Sequence, residues 1–216
     1  MRCPVGMVLV TALLSGMFFP GCEVARYPFY VETRRLNVAF VIDRSGSMGQ
    51  GPDSRMENAK SAAVELVGGL DSQDILAVVT FDNDATVVAE ARRISSGRRD
   101  EVIERISTIT AGGGTTVSAG LVAGYSELSR NRSPGFWNIL ILLCDGDVDS
   151  AISEPLVRDA YARGVRTSTI GLAVSDSQMG DLDRLAELGR GVSLFVAGNE
   201  EVSEVIREAI DELLSP

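Results

Sequence analysis

The stretch that most restricts the fold is residues 36–47, LNVAFVIDRSGS. Val38 to Ile42, with Leu36 before them, form an apolar run without the polar alternation of a half-exposed strand, which predicts a strand covered on both faces. The run stops at Asp43. Ser45 and Ser47 follow at alternate positions, with Gly46 between them easing a tight turn. Such a turn aims one carboxylate and two hydroxyls at a common point, and hard oxygen donors of this kind suit magnesium, calcium or manganese. Open α/β sheets place their sites at this end of their strands.

The rest of the chain repeats the pattern of strand, polar loop and helix. Met56, Ala59, Ala63, Leu66 and Val67 share one helical face over 56–67, and Gly68 and Gly69 end that helix. Residues 75–81 read as a second apolar strand, 82–85 as a tight turn and 86–91 as a third strand, which makes a hairpin. A short helix is expected over 100–106 with Val102, Ile103 and Ile106 inward, and a longer one over 117–129. Residues 138–144 are the most hydrophobic strand of the chain and belong at the centre of the sheet. A helix over 154–163, a strand over 165–172, a helix over 182–188 and a strand over 192–196 follow. An amphipathic helix over 201–214 closes the chain. Alternating strands and helices specify an α/β fold with a doubly wound, mainly parallel sheet, one antiparallel edge strand, and helices on both faces.

Composition narrows the chemistry. The 216 residues suffice for one domain and contain no histidine, which removes Ser-His-Asp and Cys-His catalysis and histidine-ligated zinc. The formal net charge of −10 argues against nucleic-acid binding. Residues 1–21 combine one arginine with an apolar segment too short for a comfortable span, so they read as a secretory signal, with an uncleaved anchor as the alternative. Residues 22–35 read as a tether. Gly21 and Cys22 match a lipoprotein processing box while Phe19 is bulkier than usual, which leaves lipidation of Cys22, and with it membrane attachment, open. The expected location is exported: periplasmic, envelope-anchored or secreted. Cys144 closes an apolar run and reads as inert packing, and no disulfide framework is implied.

Right-handed crossovers bring the exits of parallel strands to one rim of the sheet. That rim gathers Asp43, Ser45 and Ser47, the threonine that follows Gly112 to Gly114, and Asp145. Singly, these residues are ordinary turn formers and helix caps. Together they supply two carboxylates and three hydroxyls. Asp82, Asp84 and Asp176 are expected on the same side. Asp147 and Asp149 continue the alternation begun at Asp145, but a calcium loop of the EF-hand type needs glycine at Ser150 and glutamate at Leu156, and both fail. They read as rim charge or as a solvated loop. The glycine run has no GxxxxGK[ST] around it, and the sole lysine, Lys60, lies elsewhere, so close loop packing explains it better than a phosphate cradle.

VIDRSGSM, GGGTT and LLCDGD, in that order, resemble the signature of the von Willebrand factor type A (vWA) domain family over 36–214, in a form like that of bacterial envelope proteins. The resemblance implies a metal-ion-dependent adhesion site with Asp43, Ser45 and Ser47 from the first loop, Thr115 from the second and Asp145 from the third. Thr116 is the alternative to Thr115. Cys144 departs from the threonine or serine usual before the third aspartate. The implied function is a metal-dependent protein-binding module, for adhesion or complex assembly, and not an enzyme. Its cation is Mg2+, with Ca2+ or Mn2+ possible. Its partner offers a Glu or Asp carboxylate, and its oligomeric state is open. The rival readings are a metal-assisted hydrolase and a structural domain with a vestigial metal site.

Overall fold

The computed structural model describes residues 35–50, 54–132 and 135–196. The expected signal, the tether up to residue 34 and the closing helix lie outside these residues. The strands are β1 (Arg35–Asp43), β2 (Ile75–Phe81), β3 (Ala85–Arg93), β4 (Phe136–Cys144), β5 (Val165–Leu172) and β6 (Arg190–Val196). The helices are α1 (Arg55–Gly69), α2 (Ser96–Ser107), α3 (Val117–Arg130), α4 (Ser150–Ala162) and α5 (Asp176–Gly189). A short 3-10 turn, Gly46–Gly49, follows β1.

The sheet order is β3-β2-β1-β4-β5-β6, with β3 antiparallel to β2 and every other pair parallel. The expected α/β fold is therefore present, including its antiparallel edge. The order reverses between β1 and β4, and in open α/β sheets the crevice at such a switch point takes the ligand. Asp43 ends β1 and Asp145 follows β4 directly, so the topology sets both carboxylates at that crevice.

The long apolar runs are buried because both faces of the sheet are covered. Val38, Phe40 and Ile42 join α1 and α2 in one core, and Ala39 and Val41 join α3 and α5 in the other. Helix α3 lies unusually close to the sheet. A Cβ at Gly120 would sit 2.6 Å from Phe81 Cδ1, and one at Gly124 would sit 2.7 Å from Val41 Cγ2, so only glycine admits this approach. Polar contacts also fix α3 at both ends. The Ser118 N–H donates to Asp149 Oδ1 at 3.0 Å, and the Leu128 carbonyl accepts from the buried Asn37 amide at 3.0 Å.

Three helices begin earlier than periodicity predicts. Helix α4 starts at Ser150 rather than 154, because the Asp149 carbonyl accepts from Ile152 and Ser153 and its side chain accepts from Ser153 Oγ at 2.7 Å. Pro155 lies inside the helix. Helix α5 starts at Asp176 rather than 182, with the Gln178 side chain accepting from the Ser175 N–H at 2.8 Å. Helix α2 starts at Ser96 rather than 100. Its first turn is polar, and Arg99 in it donates to the Leu70 carbonyl at 2.7 Å, just beyond the end of α1.

Candidate functional site

Asp43 is fully buried at the end of β1. Its Oδ1 accepts from the Ser45 N–H at 2.7 Å, while its Oδ2 is buried with no hydrogen-bond partner among the described residues. Burial pushes the carboxyl up to about 6; the Ser45 hydrogen bonds pull the other way, and the Asp145 charge adds to the rise. Ser45 Oγ and Ser47 Oγ are 3.0 Å apart, and Ser47 Oγ donates to Asp145 Oδ1 at 2.9 Å. The other Asp145 oxygen accepts from Arg55 Nη1 at 2.6 Å. Two loops 98 residues apart are thus joined through their own side chains.

The second loop is held by backbone. The Gly46 N–H donates to the Gly113 carbonyl at 3.1 Å, the Gly112 N–H to the Arg44 carbonyl at 2.7 Å, and the Thr116 N–H to the Asp82 carbonyl at 2.7 Å. Gly113 has φ +88°, and a Cβ there would meet the Asp82 side chain at 2.8 Å. The glycine run is therefore explained by loops in close contact, as the sequence suggests. Thr115 is exposed, and no hydrogen bond joins its hydroxyl to the other four residues. Its methyl group lies 3.8 Å from where a Gly146 Cβ would stand, so it borders the third loop. Thr116 is half-buried and is the N-cap residue of α3.

Asp82 lies beside the first loop, where Arg44 pairs with it, and hydrogen bonds with the Asp84 N–H and from Arg44 hold its carboxyl below the usual range. Asp147 accepts from Gln178 Nε2 at 3.0 Å. Cys144 is buried, and burial, followed by the Asp43 and Asp145 charges, pushes its thiol well above the ordinary value. Its burial fits inert packing at the end of β4. The hydrolase expectation needs a cation free to stabilise developing charge. Arg44 and Arg55 are both committed to carboxylates.

Two residues of this region are not evident from the sequence. Arg55 stands 90 positions from Asp145, and the one local sign of a special role is a basic side chain at a helix start, where the dipole disfavours it. Asp149 reads as rim charge but ties the start of α4 to the start of α3. Among the described residues, no three His, Cys, Asp or Glu side chains gather as a metal cluster, because the site has two carboxylates and its other oxygens are hydroxyls.

The von Willebrand factor type A domain family matches residues 37–208. The chain belongs to that family. Such domains are adhesion and interaction modules. Its sequence is 29% identical to the uncharacterized protein YfbK of Escherichia coli K12 over 183 residues, covering 82% of this chain and 31% of that protein. It is 28% identical to the uncharacterized protein sll0103 of Synechocystis, covering 82% of this chain and 41% of that one. The chain thus spans less than half the length of these relatives. In structure it is similar to a von Willebrand factor type A protein from Catenulispora acidiphila, with TM-score 0.70 at 22% identity, covering 81% of this chain and 42% of that one. No helix among the described residues is long and apolar enough to cross a membrane.

Proposed function

We propose that this vWA domain captures a protein partner through a divalent cation held by Asp43, Ser45, Ser47, Thr115 and Asp145. The observation that carries the reading is Asp43 Oδ2, a buried carboxylate oxygen without a hydrogen-bond partner among the described residues. Leaving a buried carboxylate oxygen unpartnered is costly, and beside two hydroxyls this supports a bound cation at the position. Ser45 and Ser47 bring two hydroxyl oxygens beside it, and this donor set suits a hard cation, Mg2+ first, with Ca2+ or Mn2+ sharing the chemistry. Thr115, free of hydrogen bonds to the rest of the cluster, is available as a further donor. The cation supplies an open coordination position for a Glu or Asp carboxylate of the partner. The acidic surface, with net charge −10, disfavours poorly matched anionic proteins and nucleic acid and so favours selectivity over raw affinity. The signal-like composition of residues 1–21 supports a location outside the cytoplasm, with the stretch before β1 as a tether and membrane attachment if Cys22 is lipidated.

Capture from an extract of the source cells tests this in magnesium and again in excess chelator, with Asp43→Ala and Ser47→Ala beside the wild type. The expected result is a partner retained by the wild type in magnesium only, while circular dichroism shows all three proteins folded. The same partner retained in chelator and by both variants would remove the cation from the mechanism.

A further inference from the structure

We infer that Arg55 is a tethered counter-cation that shares Asp145 with the divalent ion, so that this domain binds its metal more weakly than its oxygen donors alone would allow. This rests on the metal reading above. Arg55 Nη1 lies 2.6 Å from Asp145 Oδ2, and the Asp145 side chain is 0% exposed while that of Arg55 is 31% exposed. The pair is therefore buried at its carboxylate end and open at its guanidinium end. Arg55 is also the first residue of α1, where the positive end of the helix disfavours a cation. Helix formation gives no reason for an arginine there. Asp145 does.

The two carboxylates of the site are treated differently. Arg44 turns to Asp82, so Asp43 receives no guanidinium. Asp145 has both oxygens occupied, one by Ser47 and one by Arg55. In the metal-free protein Arg55 spares Asp145 the cost of an uncompensated buried charge. Once a divalent ion arrives, two cations approach the same buried carboxylate, where low dielectric strengthens their repulsion. The ion then binds either against the charge of Arg55 or after displacing its half-buried guanidinium toward solvent. Both routes weaken binding.

Calorimetric titration of the whole chain with Mn2+ tests the inference on wild type, Arg55→Gln and Arg55→Lys, with melting curves in chelator and in Mn2+. Arg55→Gln is expected to bind Mn2+ about tenfold more tightly than wild type and to melt lower in chelator. Arg55→Lys, which keeps the charge, is expected to remain within about threefold of wild type. If Arg55→Gln is unfolded in chelator, refolding by Mn2+ below the wild-type dissociation constant supports the inference, and absence of rescue opposes it. Saturable binding by wild type with equal or weaker binding by Arg55→Gln overturns the role of Arg55 and leaves the metal site standing. Absence of binding in both overturns the metal site as well.

Discussion

Asp43 and Asp74 stand at opposite ends of the sheet and are satisfied in opposite ways. Both are buried, and burial raises both carboxyls above the ordinary range. Asp74, in the loop before β2, spends both oxygens on backbone: Oδ1 accepts from the Leu36 N–H and Oδ2 from the Asp71 N–H, each at 2.8 Å. It closes the amino end of β1 onto the loop that precedes β2. Asp43 accepts one backbone N–H and leaves Oδ2 unpartnered among the described residues. Asp74 is thus completed within the chain, and Asp43 is short of a partner. A buried carboxylate signals function by what it leaves unsatisfied, not by burial or a raised pKa, because Asp74 shares both and serves structure alone.

The comparison predicts opposite outcomes for loss of the two side chains in metal-free protein. Asp74→Ala leaves the buried Leu36 N–H and the part-buried Asp71 N–H unpaired and is expected to cost about 3 kcal/mol in urea denaturation. Asp43→Asn in the same chelated buffer is expected to cost nothing and to gain up to about 2 kcal/mol, since it removes a desolvated charge. Equal losses would break the distinction between the rims.

Titration sharpens it. A carboxyl with an ordinary value of 3.8 that is raised to about 6 on folding binds its proton more tightly in the folded state. Its contribution is therefore fully favourable below pH 4 and declines as pH rises through 6, by on the order of 3 kcal/mol in metal-free protein. Asp74 acts in the same direction and Asp82, whose carboxyl is lowered, in the other. The difference in stability between wild type and Asp43→Asn isolates the term: it should widen from pH 4 to pH 6 in favour of the variant. A difference flat across that range would show that Asp43 is not desolvated.

Smaller effects separate positioning from ligation. Gly120→Ala forces a methyl group against Phe81 and Val41, beneath the helix that follows the second loop, and is expected to cost about 2 kcal/mol. Asp149 shares the rim of Asp43, but its Oδ1 is occupied by the Ser118 N–H and Ser153 Oγ. Asp149→Ala should therefore behave as a weaker Asp74→Ala, losing about 1 kcal/mol with metal affinity unchanged. A large loss of affinity in that variant would place Asp149 in the site.

Much of this was legible in the sequence, and the exceptions share a cause. The apolar runs of β1 and β4 announce doubly covered strands, alternation with helices implies the parallel sheet, and the tight turn at 82–85 supplies its antiparallel edge. Asp43, Ser45 and Ser47 are legible because one turn assembles them, and Asp145 because it ends the most apolar strand. What escaped depends on partners distant in sequence. Arg55 acquires its role from Asp145, Asp149 from Ser118, and Gly120 and Gly124 from side chains of β1, β2 and β4. The early starts of α4 and α5 escaped because polar first turns, not apolar periodicity, begin those helices.

The most direct test of the account is a calorimetric titration of Mg2+ into metal-free wild type and Asp43→Ala, both verified as folded. The account predicts one saturable site per chain in the wild type and none in the variant. Equal binding by both proteins, or none by either, would contradict it.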